Sequence, residues 1–583
     1  MERTGVTERN RTFTYRTVLQ KPWIILALFF LSWFGILILT GTLFSGYHFM
    51  DDHGILKESK DVANSNLQKE VKIFQKNLLA PSMRFRPFYW VHRRLMLAVL
   101  GTNFLALSIY IGCLAVLTSF FLYLFMRKIG FSLVESILFT SLTLLGEQAA
   151  IWWRLGNNET LGMLMLSIAL WLMALSTSAP QGRRKILYEI LFVLFVILAS
   201  WSKESFILMI PALMFAKVWL TYRQKHGTLF NQKFLQGPGT VFSKRVPGRR
   251  RQKIASLKEN LISGIILLLV CLIELVHVVK NVGTSGVGYA GYEGFRLSAF
   301  IKTGIQGFMA VHGWVILVQL MIIGILVYLN SKENRTGLMP VSSLVWPVIL
   351  PVLLVFPQIV LHMKSGMTER YLLPGVMGYT FLMVLLLRYT REKSGKKKVL
   401  SIIMVALLAV ISLQQLRVTR YTAIGFAFDG QQINAWLRSI EQNTREQDMI
   451  LVITHLHQHY EASISLKTYL DMKSHRKNTL FSPTDLRVKS AKASFWKDLN
   501  RFFFSHYKDF SLENMEFRNR FQAILLFPGL EEKFLKASAN WFDPAHFKRY
   551  TSAAGYVSYY RKATKDTEKK RGSEEARKIG KEM

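Results

Sequence analysis

Two adjacent carboxylates, Asp51 and Asp52, flanked by His48 and His53, follow directly on a long apolar run. An acid pair of this kind can take a proton from a hydroxyl, orient that hydroxyl for attack, or hold a hard divalent cation. Other charged residues stand in comparable places, each beside an apolar run. They are Arg84 and Arg86 in Arg84-Phe85-Arg86-Pro87, Arg154 and Glu159 in the stretch Ile151–Glu159, Lys203 and Glu204 in the stretch Ser202–Ser205, and Glu369, Arg370 and Tyr371 in the stretch Met367–Pro374. Cations at a lipid–water boundary can hold a phosphate and stabilise the charge that builds on it as a bond to it breaks.

The elements that position these groups are apolar helices. The chain has 583 residues, 51% of them hydrophobic and 19% charged, and its mean hydropathy is +0.23. Its apolar residues come in blocks near the length, roughly 17–25 residues, that a helix needs to cross about 30 Å of hydrocarbon. About eleven such runs fall near 23–45, 96–126, 133–150, 160–178, 186–201, 204–221, 260–279, 312–329, 344–361, 371–388 and 398–416. The break at 202–205 is preferred to one long helix, because Lys203 and Glu204 would otherwise lie mid-membrane at roughly 2.5–3.5 kcal/mol each.

Net charge is +37, from 74 Lys and Arg against 37 Asp and Glu. In a soluble protein that balance would suggest nucleic acid; here positive-inside topology accounts for it. Segment 217–258 holds eleven Lys or Arg and no acid. With the N-terminus in the cytoplasm, this segment and every other clustered basic loop fall on the cytoplasmic side. All the residues singled out above then share the outer face. The two cysteines, Cys113 and Cys271, lie inside apolar runs and make neither a disulfide framework nor a zinc site.

Residues 56–78 have the apolar spacing of an amphipathic surface helix, and Arg84–Trp90 suits the membrane interface. The residues after about 417 read differently: a helical pattern over Asp429–Asn443, buried-strand patterns at Asp448–Thr454 and Ala523–Pro528. The expected organisation is a cytoplasmic N-terminus (1–22), a transmembrane domain (23–416), an extracytoplasmic α/β domain (417–562) and a charged, disordered tail (563–583). The fold class is thus a polytopic α-helical membrane protein with a C-terminal extracytoplasmic α/β domain, in the cell membrane.

The acid pair in Tyr47–His53, the Gly156-Asn157-Asn158-Glu159 loop, the Lys203-Glu204 turn and Glu369-Arg370-Tyr371 before a late helix resemble the GT-C class of integral-membrane glycosyltransferases, such as protein O-mannosyltransferases and the lipid A aminoarabinose transferase. The resemblance covers roughly residues 20–420 and points to a bacterial branch of unassigned substrate. It implies transfer of a sugar from a polyprenyl-phosphate carrier to an envelope glycan, lipid or protein acceptor outside the membrane. It implies Asp51 and Asp52 as base or acceptor ligands, and Arg370, Tyr371, Lys203 and Arg154 around the carrier phosphate. His53, Glu159, Glu204, Arg84 and Arg86 are the implied substrate contacts. Asp51, Asp52 and Glu159 together could bind Mg²⁺ or Mn²⁺, since hard cations take oxygen ligands.

Plainer readings stand beside these. The acid pair suits the start of a surface helix, Glu159 could cap the helix that follows it, and Lys203 and Glu204 could pair with each other across their turn. His455, His457 and His459 would share a face, at possible metal spacing, only if the strand before them continued. Among other functions, a transporter or lipid flippase would place ionisable groups near the bilayer midplane, where Glu274 is the only acid more than a few residues inside a span. A polysaccharide polymerase or ligase would act on the same lipid-linked sugars.

Overall fold

The structure is a computed structural model describing residues 21–50, 52–79, 85–180, 182–226, 249–282, 296–332, 342–363, 366–393, 398–454, 456–483, 507–510 and 520–562. The tail from 563, Asp51 and Arg84 lie outside these residues. The chain divides into two compact units. The first comprises Met1–Leu43, Ser65–Leu100 and Leu105–Gly425, and the second Phe44–Asn64, Gly101–Phe104 and Phe426–Met583.

The first unit is helical. Among the described residues six helices are long and apolar enough to cross a membrane: Pro22–Leu39, Phe104–Lys128, Glu159–Ser178, Glu204–Thr221, Leu261–Val278 and Lys398–Asn443. A pair bent by 76°, Leu297–Ala310 and Trp314–Leu329, makes a seventh if counted as one span. The eleven expected runs overlap helical segments, but six or seven qualify as spans among the described residues and several boundaries move. The run expected at 96–126 is two helices, Pro87–Leu100 and Phe104–Lys128, broken at Gly101, whose φ is +57°. The run at 133–150 is Leu133–Leu144, closed at its start by a reciprocal Ser132–Glu135 capping box, then a 3₁₀ segment Glu147–Trp152. Gly146, at φ +108°, makes the turn between them. That φ suits glycine and few other residues, and a Cβ there would also push on the Gln415 amide. The helix expected at 398–416 continues without a break to Asn443.

The surface helix expected across 56–78 is two helices, Asp52–Ala63 and Leu67–Leu79. Asn66 interrupts the pattern: its Oδ1 accepts the Lys69 backbone N–H at 2.9 Å, as an N-cap does.

The second unit is an α/β domain around a six-stranded sheet in the order β3-β2-β1-β4-β6-β5. The strands are β1 (Met449–Ile453), β2 (Thr479–Pro483), β3 (Lys508–Phe510), β4 (Phe521–Leu526), β5 (Phe547–Thr551) and β6 (Val557–Arg561). β3, β2, β1 and β4 run parallel, and β6 and β5 join antiparallel. The continuous apolar runs of β1 and β4 reflect burial on both faces in a parallel sheet. β5 leaves Lys548, Arg549 and Thr551 exposed and Tyr550 half-buried, as an edge strand does.

The segment Phe44–Ala63 belongs to the core of this domain. Tyr47, Phe49 and Leu56 are buried with Trp436, Leu437, Val452 and Leu525. Asn434 clamps the segment: its Nδ2 donates to the carbonyls of Ser45 (3.0 Å) and Tyr47 (2.9 Å), and its Oδ1 accepts from the Tyr47 N–H at 3.3 Å.

Candidate functional site

The structure gathers seven of the expected residues in the first unit. Lys203 pairs with Glu159, with 9% and 2% of their side chains exposed. Glu204 turns the other way and takes Arg86 in a two-pronged contact, Nε to Oε1 at 3.0 Å and Nη2 to Oε2 at 2.7 Å. The pairing of Lys203 with Glu204 across their turn is therefore replaced by two longer-range pairs. The reason is local: Lys203 is extended backbone before a helix that opens at Glu204, so consecutive side chains diverge.

Asn158 links the two pairs. With its amide oxygen facing Arg86 Nε at 3.1 Å, its nitrogen donates to Glu159 Oε2 at 2.8 Å. Arg370 Nη1 donates to Asn157 Oδ1 at 3.0 Å, and its guanidinium lies 5.2 Å from the Tyr371 ring centre. Lys203 Nζ approaches the same ring at 5.4 Å, and His362 packs on it with ring centres 4.6 Å apart. Arg154 joins Glu369 at 2.8 Å, beside a 3.4 Å contact from the Glu369 N–H to Glu147 Oε2. Glu369 itself sits at φ +46°.

The loop carrying the asparagines is held from two helices. Tyr89 OH donates to the Gly156 carbonyl at 2.9 Å and accepts from Arg93 Nη1 at 2.6 Å. Gln358, buried on the helix Ser342–Leu361, donates both amide hydrogens to the chain around Arg370, reaching the carbonyls of Tyr371 (2.8 Å) and Leu373 (2.9 Å). Buried polar atoms in these segments without a partner among the described residues include Asn157 Nδ2, Arg154 Nε, Ser205 Oγ and Gln358 Oε1.

The electrostatics follow from burial. Burial is the largest influence on Lys203 and lowers it to about 8; Glu159 opposes that shift, and Arg86 and Arg370 add to it. Burial alone would lower Arg86, but Glu204 outweighs it and the guanidinium is held above its usual value. Burial, with Lys203 and Arg370 adding to it, depresses His362 to about 3, so its ring is neutral in the working range. Three cations, Arg86, Lys203 and Arg370, thus meet two carboxylates, Glu159 and Glu204. This concentration of cations lies in surroundings where charge is poorly screened, which suits an anion.

Asp52 and His53 lie in the second unit, and Asp51 and Arg84 lie outside the described residues. Asp52 is buried at the first turn of its helix, and its Oδ2 accepts the His48 N–H at 3.0 Å. His53 is half-buried with Nδ1 3.1 Å from Ser465 Oγ. The His48 ring stacks on Phe426 at 3.7 Å.

Of the expected metal ligands Asp51, Asp52 and Glu159, Asp51 lies outside the described residues. Among the described residues no three His, Cys, Asp or Glu side chains gather to hold a metal. Glu159 is already committed to Lys203 and Asn158. The strand does not continue through the three histidines: β1 ends at Ile453 and a helix begins at Leu456, with His459 stacked on Phe527 at 5.1 Å, while His455 lies outside the described residues.

Sequence reasoning marked the charged members of the cluster but missed Gln358 and His362. Gln358 carried a usable signal, a lone amide inside an apolar helix. His362 carried none beyond its place at a helix end.

No protein-family model matches the chain, and no curated protein matches its sequence. Among solved structures, the chain is similar to ArnT from Cupriavidus metallidurans bound to undecaprenyl phosphate. Identity is 11%, with 93% of this chain and 98% of that one covered at a TM-score of 0.45. It is also similar to the apo oligosaccharyltransferase of Archaeoglobus fulgidus, at 12% identity, 93% and 75% coverage and a TM-score of 0.41.

Proposed function

We propose that the chain is a glycosyltransferase that moves a sugar from a polyprenyl-phosphate carrier to an acceptor at the extracytoplasmic face of the cell membrane. The observation that carries this reading is the cluster of buried Lys203 with half-buried Arg86 and Arg370 at the ends of apolar helices. A polyprenyl tail stays in hydrocarbon while its phosphate and sugar reach the boundary, where these cations stand. The GT-C resemblance of the sequence motifs supports the same reaction class.

In the proposed reaction an acceptor oxygen attacks the anomeric carbon of the carrier-linked sugar. The anomeric carbon–oxygen bond to phosphate breaks, its electron pair goes to the phosphate oxygen, and polyprenyl phosphate leaves. The acceptor proton passes to a carboxylate, a role proposed for Asp51. Arg370 and Lys203 hold the phosphate and gain interaction energy as its charge rises, so they act most strongly in the transition state. Tyr371, whose ring centre lies 5.4 Å from Lys203 Nζ and 5.2 Å from the Arg370 guanidinium, offers both cations an aromatic face. Glu159 and Glu204 act by fixing Lys203 and Arg86. No step is routed through a metal.

The test uses purified full-length protein in detergent with a panel of undecaprenyl-phosphate sugars, following release of undecaprenyl phosphate. Release by the wild type that falls by roughly 10²–10³-fold in Arg370→Ala and Lys203→Met supports the reading, the range seen when a preorganised charge-stabilising donor is removed. Release unaffected by both substitutions overturns the phosphate roles. Movement of an intact lipid-linked sugar across proteoliposomes, with no cleavage, would replace the transferase reading with a flippase.

A further inference from the structure

We infer that Asn157 is a ligand of the carrier's phosphate, donating a hydrogen bond from Nδ2 beside Arg370. This rests on the reading of the cluster as a phosphate site.

Asn157 is only 4% exposed and lies just before the helix Glu159–Ser178. Its amide orientation is set by its partner: Oδ1 accepts from Arg370 Nη1 at 3.0 Å, and a guanidinium can only donate. The NH₂ end is therefore fixed on the other side, and it has no acceptor among the described residues. The residue cannot easily turn away, because Thr160 Oγ donates to its carbonyl at 3.0 Å and Tyr89 holds the preceding Gly156 carbonyl.

Buried donors without partners are rare in folded proteins, because their lost hydration is not returned. The carboxylates beside this loop do not answer it, since Glu159 takes Lys203 and Asn158, and Glu204 takes Arg86. No described residue supplies the acceptor, and a bound oxyanion would. Arg370 shares the carboxamide, so an oxyanion that reaches its guanidinium also comes within reach of Nδ2. A phosphate presents several acceptor oxygens at that spacing, and a neutral amide can bind one without adding further charge beside Arg370 and Lys203. The same chemistry would serve a lipid phosphate or free inorganic phosphate, and the experiment separates them.

Full-length protein in detergent is titrated with farnesyl phosphate, farnesol and inorganic phosphate, reading the shift in thermal unfolding and the Kd. The wild type is expected to respond to farnesyl phosphate and not to farnesol. Asn157→Asp keeps the shape and the oxygen facing Arg370 but removes the donor. Asn157→Ala removes the donor without adding charge. Both are expected to weaken farnesyl phosphate binding roughly 10- to 100-fold, the range for a hydrogen bond to a charged group, while the unliganded Asn157→Asp protein unfolds near the wild-type temperature. Wild-type affinity in both variants overturns the inference and leaves the phosphate-site reading standing. No response of the wild type to farnesyl phosphate overturns that reading and the inference with it. Equal affinity of the wild type for inorganic phosphate keeps Asn157 as a phosphate ligand and overturns the lipid as its source.

Discussion

Lys203 Nζ donates to the carboxylate of Glu159, 44 positions earlier in the chain, and lies over the Tyr371 ring at 5.4 Å. The ammonium is thereby fixed between an acid and an aromatic face, with burial working against its charge and lowering it to about 8 from 10.5. Its charge is then present below that value and lost as pH rises through it.

The expected consequence is a pH limb in carrier binding. Affinity for farnesyl phosphate should be highest near pH 7 and decline as pH passes about 8. The phosphate's own second ionisation, near pH 6, is complete over that window and does not contribute to the limb. Lys203→Arg, whose guanidinium stays charged throughout, should flatten the decline. Isothermal titration from pH 7 to 9.5 checks this, and an identical limb in wild type and Lys203→Arg would assign the titration to another group.

Arg86 and Glu204 form the other pair, each with 12% of its side chain exposed. Removing one partner leaves the other charge buried and uncompensated. Glu204→Gln and Arg86→Met are each expected to destabilise by about 3–5 kcal/mol, whereas the double variant recovers much of that loss. Denaturation of all three in detergent supplies the cycle. Additive losses would mean that the two residues do not act as a pair.

The helical architecture was legible because apolar blocks and clustered basic loops are local signals. The parallel strands β1 and β4 announced themselves in the same way, as unbroken apolar runs. β5 and β6 did not: their residues, Lys548 and Arg549 among Tyr and Ser, make sense only as an antiparallel edge laid on β4. The pairings within the site were also invisible. Glu204 finds Arg86 across 118 positions and Arg370 finds Asn157 across 213, so no spacing rule reaches them. The topology argument brought Lys203 and Glu204 to one place as neighbours, and tertiary contacts then drew them to different partners.

Gln358 is a positioning residue for Arg370. Its two donated hydrogen bonds, at 2.8 and 2.9 Å, anchor the backbone on the far side of the 3₁₀ turn Glu369–Leu372 that presents the guanidinium. Gln358→Leu fits a similar volume and removes both. Carrier affinity is expected to fall roughly tenfold, corresponding to about 1.4 kcal/mol. In an Arg370→Ala background the same substitution should cost little further affinity. Equal losses in both backgrounds would make Gln358 a general support of the fold rather than a support of Arg370.

Asp51 and Asp52 should separate by role. Asp52 is buried, begins the helix Asp52–Ala63 and accepts the His48 N–H at 3.0 Å, an arrangement that uses its charge to close a helix start. Asp52→Asn keeps an acceptor oxygen in place but gives up the charge at the helix start. It is therefore expected to cost about 1 kcal/mol of stability and to slow sugar transfer only a few-fold. Asp51→Asn removes the proposed base and should abolish release of undecaprenyl phosphate while leaving the unfolding temperature unchanged. Melting curves and release rates measured on the same preparations decide between them. If Asp52→Asn stops turnover in a protein that melts like wild type, and Asp51→Asn does not, the base is Asp52, and its contact with the His48 N–H serves to aim the carboxylate.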